Sequence, residues 1–144
     1  MTNSDTTKLL RECDAGTKMA VSSIDEVLEK VRDQTMKGLL QKSKEHHEKL
    51  ESEIDKQLAK YQTDEKEPNP IAKGMSWMKT NMKLSMDNSD ATVADLITDG
   101  CDMGVKTLHR YLNQYKAADH EAKDICNRLI DIEEELRKDL TKYL

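Results

Sequence analysis

Phenylalanine is absent from the 144-residue sequence, and aromatic residues make up only 3% of it. Aromatic and β-branched side chains favour strands, whereas the Leu, Met, Ala, Glu and Lys that are abundant here favour helices. The composition therefore predicts an all-α protein without a β-sheet. A chain of this length fits one domain, so we expect residues 1–144 to form a single helical bundle.

The sequence also has few cysteines and no long apolar run. Its three cysteines, Cys13, Cys101 and Cys126, are an odd number without C-x-x-C spacing, which predicts neither a disulfide framework nor a zinc site. No stretch approaches the roughly eighteen apolar residues of a membrane span, and the N-terminus does not resemble a signal peptide. We therefore expect a cytoplasmic protein without a membrane partner.

No part of the chain carries charge of only one sign. The 23 Lys and Arg residues alternate with 28 Asp and Glu residues, which gives a net charge of -5. A nucleic-acid-binding protein normally carries a basic patch, and no such patch occurs here. We therefore expect no DNA or RNA partner.

Apolar residues at spacings of three and four predict two helices in the first half of the chain. The first begins near Ser4, and the second near Asp33, a favourable N-cap residue, after a tight turn. Together they form a predicted hairpin over about residues 4–62. The apolar face of the first helix carries Leu10, Cys13, Thr17, Ala20, Ile24, Val27 and Val31. That of the second carries Met36, Leu40, Ser43, His47, Leu50, Ile54, Leu58 and Tyr61.

A second predicted hairpin covers about residues 89–144, with helix starts at the capping residues Ser89 and Asp119. The run Glu133 to Glu135 is expected on the outer surface of the last helix. The inward positions of the third long helix are Ala94, Thr98, Cys101, Val105, Leu108, Leu112 and Tyr115. Those of the last helix are Ala122, Ile125, Leu129, Ile132, Leu136, Leu140 and Tyr143.

The intervening residues, about 63–88, are predicted to form a long crossover that contains a shorter helix. Pro68 and Pro70 prevent one continuous helix across this segment, and Pro70 suits the first position of the shorter one. A row of methionines on that helix predicts either a packing face or an adaptable surface for a second copy or another protein. The row consists of Met75, Met78, Met82 and Met86.

A six-residue motif occurs twice, as Cys13-Asp14-Ala15-Gly16-Thr17-Lys18 and as Cys101-Asp102-Met103-Gly104-Val105-Lys106. Glu51 to Tyr61 likewise matches Glu133 to Tyr143. Helical geometry turns each cysteine inward and each Asp and Lys toward solvent, where they can form an ion pair. We interpret the repeat as a helix-packing device in which glycines allow close backbone approach and the two cysteines face one another. Its members are Cys13, Asp14, Gly16, Lys18, Cys101, Asp102, Gly104 and Lys106.

Three segments carry a resemblance to a known family, namely Lys66 to Lys73, Cys101 to Lys106 and Ile132 to Leu136. The chain resembles bacterial ferritin-like proteins of unknown function most specifically in these segments, and the resemblance covers nearly the whole chain. The resemblance implies a ferritin-like four-helix bundle, made of two helical hairpins joined by the long crossover. It implies no settled activity.

Di-iron members of the ferritin-like class place inward-facing Glu and Glu-x-x-His ligands in the bundle, and this sequence contains no Glu-x-x-His. His47 is the one histidine on an apolar face, and we interpret it as a core residue with a local hydrogen bond. His46, His109 and His120 are expected to face solvent.

No motif in the sequence predicts catalytic or cofactor-binding residues. The leading hypothesis is a metal-free, non-enzymatic interaction or stress-associated module. The alternative is a metal-binding protein or oxidoreductase with unconventional ligands around His47 and Glu51.

Overall fold

The computed structural model describes residues 4–61 and 89–144, and these residues form four α-helices and a final 3₁₀ turn. In chain order they are α1 (Ser4–Leu28), α2 (Gln34–Tyr61), α3 (Asp90–Gln114), α4 (His120–Leu140) and the turn Thr141–Tyr143. No strand occurs in these ranges, so the all-α prediction is confirmed for them. The predicted crossover helix and its methionine row lie outside the described residues.

Three of the helices begin where the sequence predicted a cap. Asp33 Oδ1 accepts hydrogen bonds from two backbone amides in the first turn of α2, at 2.8 and 3.2 Å. Ser89 Oγ accepts one from Thr92 at 3.2 Å, and Asp119 Oδ1 accepts one from Ala122 at 2.8 Å. These side chains satisfy amides that have no partner inside the helix, which fixes the starting points of α2, α3 and α4.

The helices follow the order α1, α2, α4, α3 around the bundle. Each helix packs on its two neighbours in this ring, and α1 also contacts α4 across the middle. Within the described ranges α2 and α3 make no such contact, so they lie at opposite corners. The cross-section is therefore a rhombus with α1 and α4 on its short diagonal.

The core consists of two apolar clusters. The first core cluster lies near the α1–α2 turn and contains Ile24, Val27, Val31, Met36, Leu40, Val93, Ala94, Leu96, Ile97, Cys101, Leu136 and Leu140. The second lies near the α3–α4 turn and contains Leu9, Leu10, Cys13, Leu50, Ile54, Leu108, Ala118, Ala122, Ile125, Cys126, Leu129 and Ile130.

The apolar faces differ from the prediction in a few places. The residues expected inward that are only half-buried are Ala20, Leu58, Tyr61, Val105, Leu112, Tyr115, Ile132 and Tyr143. Most of them pack on the rim of a core cluster, where four-helix geometry leaves one side open. Val31 is buried although α1 ends at Leu28. None of the helices in the described ranges has both the length and the apolar character needed to cross a membrane.

Polar contacts hold the helix ends at each end of the bundle. The Asp90 carboxylate accepts hydrogen bonds from the backbone amides of Arg32 and Asp33 at 2.8 and 2.9 Å, which ties the start of α3 to the α1–α2 turn. At the other end, the Tyr61 hydroxyl donates to Asp119 Oδ2 at 2.9 Å, which ties the end of α2 to the α3–α4 turn. The end of α2 and the start of α3 therefore lie at opposite ends of the bundle.

Replacing Asp90 with alanine should lower the free energy of unfolding by about 1–2 kcal/mol, because two backbone amides lose a charged acceptor. Urea unfolding at neutral pH measures the change. Asp95→Ala is the matched control, since Asp95 is an exposed carboxylate on the same helix, and it should change stability by less than about 0.5 kcal/mol. Equal effects of the two substitutions would contradict a role for Asp90 in joining the turn to α3.

Candidate functional site

His47 and Glu133 form a buried pair between the two core clusters. His47 is fully buried, and its Nε2 lies 3.1 Å from Oε1 of Glu133, which α4 provides. Its Nδ1 lies 2.7 Å from the backbone oxygen of Ser43 one turn earlier in α2. A carbonyl oxygen can only accept, so Nδ1 carries a proton and donates it. The local hydrogen bond expected for a core histidine is present, and a longer-range partner accompanies it.

The surroundings of His47 favour its protonated form. Burial lowers the pKa of His47, but the hydrogen bond and the charge of Glu133, together with the Ser43 carbonyl, outweigh burial and raise it above its usual value. Because Nδ1 already donates to Ser43, a hydrogen bond donated by Nε2 to Glu133 requires the second ring proton, and the hydrogen-bonded pair is then an imidazolium with a carboxylate. An imidazolium has no lone pair to offer a metal ion. In the described part of the chain, His47 also belongs to no cluster of three metal-ligating side chains.

The predicted position of Glu133 on the outer surface is wrong, because this residue is only 8% exposed. Glu134 and Glu135 are exposed as expected. Glu133 lies one turn from both Leu129 and Leu136, so helical periodicity turns it toward the core. Its charge is tolerated there because His47 faces it from α2.

A cavity of about 220 Å³ opens between α1 and α3, and its floor is formed by Leu129 and Glu133 of α4. Small residues make much of its wall, among them Gly16, Gly100 and Gly104. A Cβ atom at Gly16 would lie 3.5 Å from the Leu129 side chain, and one at Gly104 would lie 3.7 Å from the Glu133 carboxyl carbon. A Cβ at Gly100 would meet no atom within 4 Å.

These distances correct the expectation that the glycines permit close backbone approach. The atoms facing Gly16 and Gly104 belong to side chains at ordinary van der Waals distance, and Gly100 faces open space. Ala20, predicted to lie in the core, also lines the cavity. The glycines therefore leave a gap beside α4 rather than bring two helix backbones together.

The repeated cysteines do not face one another as expected. Cys13 lies with Cys126 in the second core cluster, whereas Cys101 lies in the first cluster. All three thiols are free and buried. A hydrogen bond with Cys126 and burial raise the pKa of Cys13, while burial and Glu133 raise the pKa of Cys101. A raised thiol pKa disfavours the thiolate, so Cys13 and Cys101 are poor nucleophiles.

The charged positions of the repeated motif also differ between its copies. Lys18 Nζ lies 2.7 Å from Asp14 Oδ2, which confirms the predicted ion pair, but Asp14 is half-buried rather than solvent-facing. In the second copy Asp102 is exposed and binds Arg137 of α4 at 3.1 Å. Lys106 is exposed as predicted.

Glu51, the second metal candidate, belongs to an acidic trio with Asp14 and Asp55. One oxygen of each residue lies within 4.8 Å of the others, and burial raises the pKa of both Glu51 and Asp55. Oδ1 of Asp14 is buried without a hydrogen-bond partner. Among the other histidines, His109 and His120 are exposed as predicted, whereas His46 is half-buried.

No family model, curated protein or solved structure matches this chain. Its function is therefore inferred from the geometry of its own residues.

Replacing His47 alone with leucine should lower the free energy of unfolding by about 3–5 kcal/mol, because Glu133 keeps a buried charge without its partner. The double variant His47→Leu, Glu133→Leu should recover most of this loss, since two apolar side chains can pack in the same space. Urea unfolding of the wild type, both single variants and the double variant measures the coupling. Additive losses in the double variant would contradict a buried ion pair.

The His47–Glu133 pair also predicts a pH dependence of the folding stability, which is a second test of the ion pair. A histidine whose pKa is raised by folding contributes stability that is complete below its unfolded pKa, about 6.5, and is lost as the pH rises through the higher folded pKa. Wild-type stability should therefore include a component that falls with rising pH above about 6.5. The double leucine variant should lack that component. If the component persists in the double variant, it arises from other titratable groups.

Proposed function

We propose that this chain is a non-enzymatic, ferritin-like four-helix bundle that binds a small molecule in the cavity between α1 and α3. The observation that carries the proposal is the cavity itself, with its glycine-lined wall and a buried carboxylate in its floor. Glycine inside a helix costs about 1 kcal/mol relative to alanine. A ligand-binding role for the cavity would explain why three such glycines surround it.

The ferritin-like arrangement is supported by the positions of the helix ends. Tyr61 and Asp90 are bound at opposite ends of the bundle, as the two ends of a long crossover would be. A long crossover between the second and third helices is characteristic of ferritin-like folds.

The duplication is supported by the placement of matching glutamates. Glu51 of α2 lies beside Asp14, in the first copy of the repeated motif. Glu133 of α4, its counterpart in the sequence match, lies beside Cys101 and Gly104 in the second copy. Each glutamate thus meets the motif of its own half of the chain, as two related hairpins would require.

A role in binding rather than catalysis is supported by the state of Cys101, which lines the cavity, and of His47, which lies behind Glu133. Both nitrogens of His47 are engaged, so it is a poor general base. The pKa of Cys101 is raised by burial and by Glu133, so it is a poor nucleophile. Mostly apolar walls with a few fixed polar groups are typical of small-molecule binding sites. Free thiols support a reducing cytoplasm as the location.

Filling the cavity should abolish binding without unfolding the bundle. In Gly100→Leu the new side chain occupies the gap, so benzene-sized compounds that raise the Tm of the wild type should no longer raise that of the variant. Cavities of about 150 Å³ are large enough for benzene, which makes compounds of this size suitable probes. Thermal-shift titration of neutral, cationic and anionic compounds measures the difference.

Gly38→Leu is the matched control, because Gly38 is exposed on α2 and a Cβ there also meets no atom within 4 Å. It should respond to ligands as the wild type does. If no compound stabilises the wild type more than Gly100→Leu, the proposed function is wrong.

A divalent cation at the acidic trio is a second candidate function, favoured by the buried and unpartnered Oδ1 of Asp14. Carboxylate oxygens suit hard cations such as Mg²⁺, Mn²⁺ and Ca²⁺. The Lys18 ammonium, 2.7 Å from Asp14, already balances part of the trio's charge and favours the metal-free state. For this reason the cavity is the leading site.

The protein purified without chelators should contain only substoichiometric metal by elemental analysis, and its Tm should not change in added Fe(II) or Mn(II), because Lys18 already supplies a counter-charge. The informative variants are Glu51→Gln and Glu48→Gln, since Glu48 is an exposed glutamate on the same helix. Stoichiometric metal that is lost in Glu51→Gln and retained in Glu48→Gln would establish the second candidate instead.

A further inference from the structure

We infer that the cavity between α1 and α3 binds a small organic cation, namely a protonated amine on an apolar body of about benzene size. This inference rests on the proposed binding function and adds the chemical class of the ligand. It follows from the charges that line the cavity, from the free acceptor capacity of Glu133 and from the apolar groups around the opening.

The charged side chains that line the cavity are all acidic within the described ranges. They are Glu12 of α1 and Glu133 of α4, and no Lys, Arg or His side chain from those ranges lines the cavity. An anionic ligand would lose its hydration and meet two carboxylates there, which is unfavourable on both counts. A cation loses its hydration too, but it gains two opposite charges.

The His47–Glu133 pair leaves Glu12 as the remaining negative charge at the cavity. His47 binds Glu133 at 3.1 Å but does not line the cavity, so its positive charge offsets the Glu133 carboxylate from α2. Glu12 then remains as the second carboxylate. Glu12 is half-buried and accepts a hydrogen bond from the Tyr111 hydroxyl, but no positive charge lines the cavity beside it, so a ligand of charge +1 balances the set.

Glu133 has acceptor capacity left for such a ligand. A carboxylate offers about four acceptor positions, of which His47 occupies one on Oε1. Both Glu133 oxygens face the gap left by Gly104, at 3.8 and 4.0 Å from where a Cβ would lie there. The Cys101 thiol also contacts this carboxylate, as a weak donor. An ammonium group brings three strong donors to the remaining positions.

The rest of the lining suits the apolar body of an amine. Tyr111 lines the cavity with its ring stacked on Tyr115, at 5.9 Å between centroids. The face of an aromatic ring attracts cations, and thioethers adapt to apolar and aromatic surfaces. Met19 and Met103 supply the thioethers, and Met103 is 55% exposed. Carboxylates, an aromatic ring and methionines together match an organic ammonium better than a metal ion or a sugar.

Isothermal titration of the full chain with three phenyl-bearing probes of similar size tests the inference. The probes are phenethylamine, which is cationic at neutral pH, neutral 2-phenylethanol and anionic 3-phenylpropionate. We expect the amine to bind the wild type at least about tenfold more tightly than the alcohol, and the anion to bind most weakly.

The preference for the amine should disappear in Glu133→Gln and weaken in Glu12→Gln. Glutamine at position 133 keeps an acceptor for His47. Glu12 is only half-buried, so at least Glu12→Gln should fold as the wild type does. Glu134→Gln, an exposed neighbour on α4, should keep the full preference. A preference for the amine that persists in Gly100→Leu would place the amine outside the cavity and overturn the inference.

The outcomes separate this inference from the function on which it rests. If the amine and the alcohol bind equally and both are lost in Gly100→Leu, the binding function stands and the cationic ligand is wrong. Tightest binding of the anion would likewise overturn the cationic ligand alone. If none of the three probes binds the wild type, the binding function fails and this inference fails with it.

Discussion

The buried pair of His47 and Glu133 is the interaction on which the remaining geometry depends. It lies between the two apolar clusters and joins α2 to α4, which belong to different halves of the chain. Apolar side chains can slide past each other at little cost, but a buried charge requires its partner. A shift of α4 by one turn would separate the two charges. The pair therefore fixes the register between the halves and holds the cavity floor in place.

The pair also explains why the two sides of α4 differ. On the side facing α2, the imidazole ring fills the space beside Glu133. On the side facing α1 and α3, the residues opposite Leu129 and Glu133 are Gly16 and Gly104, which have no side chain to fill the cavity there. The Glu133 carboxylate thus contacts a filled interface on the α2 side and lines the open cavity on the other side.

Features set by neighbours in the sequence could be predicted. The caps Asp33, Ser89 and Asp119 and the inward position of His47 follow from side-chain chemistry and helical spacing. The partner of His47 could not be predicted, because a helical wheel gives the direction of a side chain but not the register of the helix it meets. Because the register between helices was not known, Glu133 was predicted on the outer surface and Cys13 was paired with the wrong cysteine. Spacing from Leu129 and Leu136 was a usable signal for Glu133.

Gly38 and Gly100 both occupy helix interiors with open space beside them, yet they would respond differently to selection. Alanine at either position would strengthen its helix by about 1 kcal/mol. At position 38 that gain carries no penalty, whereas at position 100 each added atom takes volume from the cavity. Selection for heat resistance alone would therefore tend to close this protein's interior. Glycine retained at position 100 in a warm-adapted relative would be a sign of selection for an open cavity.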